Sequence, residues 1–132
     1  MDMRIELIMV PVTDVDRARD FYASLGWNVD HDHEVDENTR FVQITPPGSA
    51  CSIALGRGIA DTEPGSLRGI QLVIRDADAA LALLQQKGAD VDPAVDEQQW
   101  GRFVTFRDPD GNTYTLQELP EYSPSYANRP AH

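Results

Sequence analysis

The chain has one cysteine, Cys51, among its 132 residues, and 11 basic side chains against 22 acidic ones. A single thiol cannot close an internal disulfide, so the fold needs no oxidising compartment. The formal net charge of −11 argues against nucleic acid as a partner, because phosphate binding needs clustered Lys and Arg. It argues equally against docking on an anionic membrane surface. No run approaches the roughly 18 apolar residues of a membrane span. Met1 to Val12 carries acid and too short an apolar stretch for a signal peptide. What remains is the expectation of a soluble, acidic, cytoplasmic globular protein that buries about two-thirds of its unfolded surface.

What the sequence does contain is self-similarity at an offset of 62 positions. Asp14-Val15-Asp16-Arg17-Ala18 shares its two aspartates and last alanine with Asp76-Ala77-Asp78-Ala79-Ala80. A glycine follows each at the same distance, Gly26 and Gly88, and Arg40-Phe41-Val42 returns as Arg102-Phe103-Val104. Pro47-Gly48 then answers Pro109-Asp110-Gly111 with one residue inserted. Shared features in one order indicate two copies of one module. Module one is expected over 4–56 and module two over 67–119, joined by a linker at 57–66 and followed by a flexible tail, 120–132.

Each module reads as strand, helix and three strands. Ile5 to Val12 and Ile70 to Ile74 are β-branched-rich apolar runs. Asp14 and Asp76 sit where helix N-caps are wanted. Ala18, Phe21, Tyr22 and Leu25 form one apolar helical stripe, and Ala80, Leu83 and Leu84 another. Gly26 and Gly88 suit the left-handed position that ends a helix. The remaining strands are expected at about 27–33, 39–45 and 50–55, then 89–92, 101–107 and 112–118. The fold class is therefore α+β, with the order βαβββ twice.

Val12-Thr13-Asp14, Phe21-Tyr22, Leu25-Gly26-Trp27 and Phe106-Arg107-Asp108-Pro109-Asp110-Gly111-Asn112 resemble the signatures of the vicinal oxygen chelate superfamily. That group contains glyoxalases, bleomycin-resistance proteins and extradiol dioxygenases. The resemblance implies two modules forming an open, curled mixed sheet around a cavity, with helices outside, in a homodimer. It also implies a divalent metal held in enzyme members by His, Gln or Glu on the first and fourth strands of each module. The corresponding positions here are Leu7 and Ser52 in module one, Gly69 and Thr115 in module two. Leu and Gly offer no donor atom, and the hydroxyls are weak neutral donors. No metal and no cofactor is therefore expected.

Other constellations have plainer readings. Asp30 to Glu37 holds five carboxylates with His31 and His33, a pattern that suits a chelate but is expected as a solvated hairpin tip. Cys51 lacks a nearby histidine and reads as a structural thiol. Asp108 and Asp110 are explained by turn chemistry. Strand alternation instead points to a cup of Leu7, Phe41, Gln43, Ser52, Gln71, Phe103, Thr115 and Gln117, with Trp100 at its rim. Such a lining suits a neutral, partly planar organic ligand. The expected function is metal-free binding of a small hydrophobic or aromatic metabolite. The alternative is a lyase, isomerase or oxygenase with a relocated site, so whether the chain is an enzyme stays open at this stage. A partner-binding subunit that uses the tail and acidic hairpins is a third reading.

Overall fold

The two helices begin where aspartate can satisfy free backbone N–H groups. In this computed structural model, which describes residues 1–122, Asp14 accepts from the Arg17 N–H at 3.0 Å, and Asp76 from the Ala79 N–H at 3.0 Å. Helix α1 spans Val15–Ser24 and α2 spans Ala77–Gln86. Each carries a second aspartate in its first turn, Asp16 or Asp78, where the helix dipole favours negative charge. Gly26 and Gly88 follow the C-caps with φ of 90° and 73°, which a side chain would resist.

The strands are β1 (Leu7–Met9), β2 (Asn28–Asp36), β3 (Thr39–Thr45), β4 (Ser52–Arg57), β5 (Ile70–Ile74), β6 (Asp90–Val91), β7 (Asp96–Gln98), β8 (Gly101–Arg107) and β9 (Thr113–Glu118). Two open mixed sheets result. The first runs β1-β4-β3-β2, and the second runs β5-β9-β8-β6 with β7 also on β8. The pairs β1–β4 and β5–β9 are parallel, and the others are antiparallel. The expected α+β class with two modules is what the structure shows.

The described residues part into two compact units, 1–67 with 108–112, and 68–107 with 113–122. In the first unit α1 covers one sheet face, burying Val15, Ala18 and Tyr22 with Val42, Ile44, Ile53 and Leu55. In the second, Ala77 and Leu84 are buried together with Val104, Phe106, Tyr114 and Leu116. The Phe106 and Tyr114 rings stack at 5.1 Å, a geometry worth about 1 kcal/mol beyond area burial.

Several expected boundaries shift for identifiable reasons. Strand β1 is three residues long, because Pro11 has no N–H with which to continue the ladder. Strand β2 extends to Asp36 through two irregularities, between Val29 and His31 and between Glu34 and Asp36. Strand β7 was invisible to pattern reading because all three residues are polar and exposed. Leu83 is 39% exposed rather than part of the α2 stripe, which passes through Ala77 and Leu84 instead. Pro120–Tyr122 form a 3-10 turn, and the rest of the expected tail lies outside the described residues.

The arginine that recurs at an offset of 62 ties helix to sheet in both units. Arg40 on β3 reaches Asp16 at 2.8 Å, and Arg102 on β8 reaches Asp78 at 3.0 Å. Arg40 also takes Asp32 in a two-point bond at 2.9 Å, and Arg19 meets Asp32 at 2.7 Å. Arg102 bonds Glu97 at 2.8 Å and the buried Glu118 at 3.3 Å, while Glu118 accepts the Ala77 N–H at 3.0 Å. Much of the acid is thus committed to arginines, not simply spread over the surface for solubility.

The first unit also contains a buried polar network. The Asp108 carboxylate accepts from the Tyr22 hydroxyl at 2.7 Å, the Asn112 amide at 2.8 Å, and the backbone N–H groups of Asp110 and Asn112 at 3.0 and 2.9 Å. Asn112 donates to the Pro11 carbonyl at 2.8 Å and accepts the Leu67 N–H at 3.0 Å. Every polar atom of the Asn112 side chain is used, and the residue is 0% exposed.

Two stability measurements check these roles. Asn112→Ala removes a donor to the Pro11 carbonyl, a donor to the buried Asp108 carboxylate and the acceptor of the Leu67 N–H, and should cost about 3 kcal/mol by urea denaturation. Arg40, and secondarily Arg19, lower the Asp32 carboxyl from its usual value to about 2. That contribution is present above the unfolded-state value and is lost as pH falls toward 2. Asp32→Asn should therefore lower the thermal midpoint at pH 7 and shrink the loss seen between pH 5 and 2.

Candidate functional site

The face of each sheet turned away from its helix carries the expected site residues. Because side chains alternate, burial of Val42, Ile44, Val104 and Phe106 under the helices turns Phe41, Gln43, Thr45, Phe103 and Thr105 the other way. In the first unit Leu7 pairs with Ser52 and Met9 with Ala54, while Gln43 faces Ala54 and Phe41 faces Gly56 across the β3–β4 ladder. Small side chains therefore run down β4, flanked by larger ones on β1 and β3. Ser52 is 7% exposed and Ala54 0%, whereas Met9 at the side is 42% exposed. Ser52 and Ala54 are thus covered by the larger side chains beside them, and the Arg40 carbonyl fills the space a Cβ at Gly56 would need, so Leu7, Met9, Phe41 and Gln43 present this face.

Polar groups on this face form a chain. The Ser52 and Thr45 hydroxyls lie 2.6 Å apart, Thr45 donates to Asp30, and the Gln43 amide reaches Ser52 at 3.5 Å. Asn28 also donates to Asp30, at 2.6 Å. The Thr45 hydroxyl, with Asn28 next, holds the Asp30 carboxyl below the usual carboxylate range. Asp30 sits at the β2 irregularity between Val29 and His31. Alternation from Asn28, which stands opposite Thr45, puts Asp30 on this face, and the irregularity leaves it without a paired residue on β3.

In the second unit Gln71 pairs with Thr115, and Gln117 lies between Val73 and Phe103. Gln71 donates to Gln117 at 2.7 Å, and the Gln117 amide donates to the Trp100 carbonyl at 2.8 Å. Trp100 is 61% exposed and Val73 56%. Thus Leu7, Phe41, Gln43 and Ser52 share one face in the first unit, and Gln71, Phe103, Thr115 and Gln117 share one in the second, with Trp100 tied to it through its backbone.

The strand register moves one of the positions at which enzymes of the resembled group hold metal. Counting back from the helix cap leads to Gly69, which precedes β5 and has a φ of 84°. Pairing places Gln71 opposite Thr115, as Leu7 stands opposite Ser52. The donor set becomes a leucine, a serine, a threonine and an amide already bonded to Gln117. That set does not fit a divalent metal, which needs carboxylate, imidazole or thiolate. Among the described residues no group of three or more His, Cys, Asp or Glu is arranged to hold one. His31 and His33 are exposed on β2, and the four bonds at Asp108 show it to be structural.

A cleft of about 370 Å³ lies around the start of α2, lined by Arg75, Asp76, Asp78, Glu97, Arg102, Glu118 and Tyr122. Arg102 is consumed there by its three carboxylates, and Arg75 stacks over the Tyr122 ring at 4.7 Å. The cleft is polar and internally neutralised.

Residues 4–116 match the family described as the Glyoxalase/Bleomycin resistance protein/Dioxygenase superfamily. The chain belongs to this superfamily. Among solved structures it is similar to TnmS3, an antibiotic binding protein from Streptomyces sp. CB03234, at 36% identity and a TM-score of 0.80. That match covers 89% of this chain and 97% of TnmS3. A superfamily member from Sphaerobacter thermophilus DSM 20745 aligns at 33% identity and a TM-score of 0.78, over 88% of this chain and 97% of its own. The uncharacterized protein YetH of Bacillus subtilis (strain 168) is 22% identical over 89% of this chain and its own full length. No helix among the described residues is long and apolar enough to cross a membrane.

The family assignment leaves the local chemistry to the side chains, and the Asp30 chain can be tested directly. In a carbon-detected NMR titration Asp30 should ionise below the usual carboxylate range. Thr45→Val should move that titration upward, because the largest stabiliser of the charged form is then gone.

Proposed function

We propose that this protein binds a planar, largely apolar small molecule on the helix-distal faces of its sheets, without a metal ion. The observation that carries the reading is the helix-distal face of the first unit. Leu7, Met9 and Phe41 give it an apolar strip on which a flat ring system can rest. The polar chain from Gln43 to Asp30 borders that strip, and small-molecule sites combine an apolar body contact with a few orienting hydrogen bonds in this way. The similarity to an antibiotic binding protein supports the same reading.

Metal-dependent chemistry with relocated ligands is the weaker alternative. It would need Glu6 and the histidines of β2 to converge. The order β1-β4-β3-β2 puts them at opposite edges of one sheet, roughly 14 Å apart at the usual strand spacing. The proposal extends to a cytoplasmic homodimer, supported by the family resemblance and by a fold that requires no disulfide.

Protein purified without added metal should contain well below one equivalent of Fe, Mn, Ni and Zn together, and chelation should leave its thermal midpoint unchanged. Planar aromatic compounds should raise that midpoint. One bound equivalent of metal would overturn the metal-free reading, and a panel of planar organics with no shift would overturn ligand binding.

A further inference from the structure

Hydroxyl and amide protons on the helix-distal face of the first sheet can be assigned one by one. Asp30 is a carboxylate and can only accept, so the Thr45 proton goes to it. With that proton committed, the contact between Thr45 and Ser52 requires Ser52 to donate. Ser52 then has no proton left for Gln43 and must accept from it. This fixes the Gln43 amide with its nitrogen toward Ser52, an orientation that heavy-atom positions alone would leave ambiguous. The same amide steadies Asp30, and Asn28 directs a further donor at that carboxylate.

Every proton in the chain therefore runs toward Asp30, and what faces away from it is an acceptor. The Gln43 Oε1 atom receives no hydrogen bond among the described residues. It stands on the face that carries Phe41 and Thr45 along β3. A ligand that displaces water from a carbonyl oxygen loses affinity unless it brings a donor of its own.

We infer that Gln43 selects a ligand whose polar edge carries a hydrogen-bond donor: a phenol, an enol or an aromatic amine, in preference to its methylated or carbonyl counterpart. This rests on the binding function proposed above and names the chemical class it accepts. The apolar body lies against Leu7, Met9 and Phe41, and the O–H or N–H of its edge meets Gln43 Oε1. A ligand edge made only of acceptors faces the Gln43 oxygen lone pairs and is rejected. Specificity on this face comes from the direction of a proton chain anchored at Asp30, so Thr45 and Ser52 act as positioning residues.

The test uses two probes of nearly equal size, 2-naphthol and 2-methoxynaphthalene, titrated calorimetrically into the full-length protein. Wild type should bind 2-naphthol about tenfold more tightly, the value of one well-placed hydrogen bond. Gln43→Leu should bring that ratio close to one. Gln43→Met, which keeps the length of the side chain, is carried in parallel in case the leucine variant folds poorly. Equal binding of both probes by wild type overturns the donor preference while the proposed binding function stands. Binding of neither overturns both. A preference that persists in a folded Gln43 variant overturns the assignment to Gln43.

Discussion

One helix can cover only one face of a sheet, and among the described residues each unit of this protein has one α-helix. Strand side chains alternate, so that limit divides every strand into two populations. Val42 and Ile44 go under α1, and Val104 and Phe106 are buried in the second unit. Their immediate neighbours must then stand on the other face. That face carries aromatic, aliphatic and amide groups together. In the first sheet the larger side chains of β1 and β3 cover the small ones of the central strand β4, and so they form its surface.

The helices are held in place by charge as well as by apolar contact. Arg40 and Arg102 each reach from the sheet to the second residue of the helix, where the carboxylate also benefits from the helix dipole. Exposed ion pairs are individually worth little, but the two-point geometry at Asp32 and the shared carboxylates make networks in which each charge has several partners. The acidic surplus thus has a structural share. Asp32, Asp90, Asp92 and Glu97, which look in sequence like a solvated fringe, are ion-paired to arginines.

The legible part of the fold was local. Asp14 and Asp76 as caps, Gly26 and Gly88 as terminators, and the strand at 70–74 all depend on residues within a few positions of one another. Face parity was legible for the same reason, which brought Gln43 and Phe41, and likewise Phe103 and Gln117, to the correct side of their sheets. Three things were hidden. Counting from the helix cap led to Gly69, because the link from first strand to helix differs in length between the units, and only pairing brought Gln71 opposite Thr115. Strand β7 has no apolar pattern because it is exposed. Asp30 joins the site through the β2–β3 register, which brings its carboxylate to Thr45 and is not written in either strand alone.

By itself, then, the sequence determined both helices and every strand except β7, which face most strand residues take, and that the usual metal-binding positions lack ligands. These properties are set by backbone preference and alternation over short distances. Tertiary structure alone decided which partners meet. Tyr22 and Asp108, 86 positions apart, share one buried hydrogen bond, and the hydroxyls of Thr45 and Ser52 line up toward Asp30. Hydrogen bonds depend on distances of about 3 Å and on direction. Separation along a chain carries no record of either until the strands have paired.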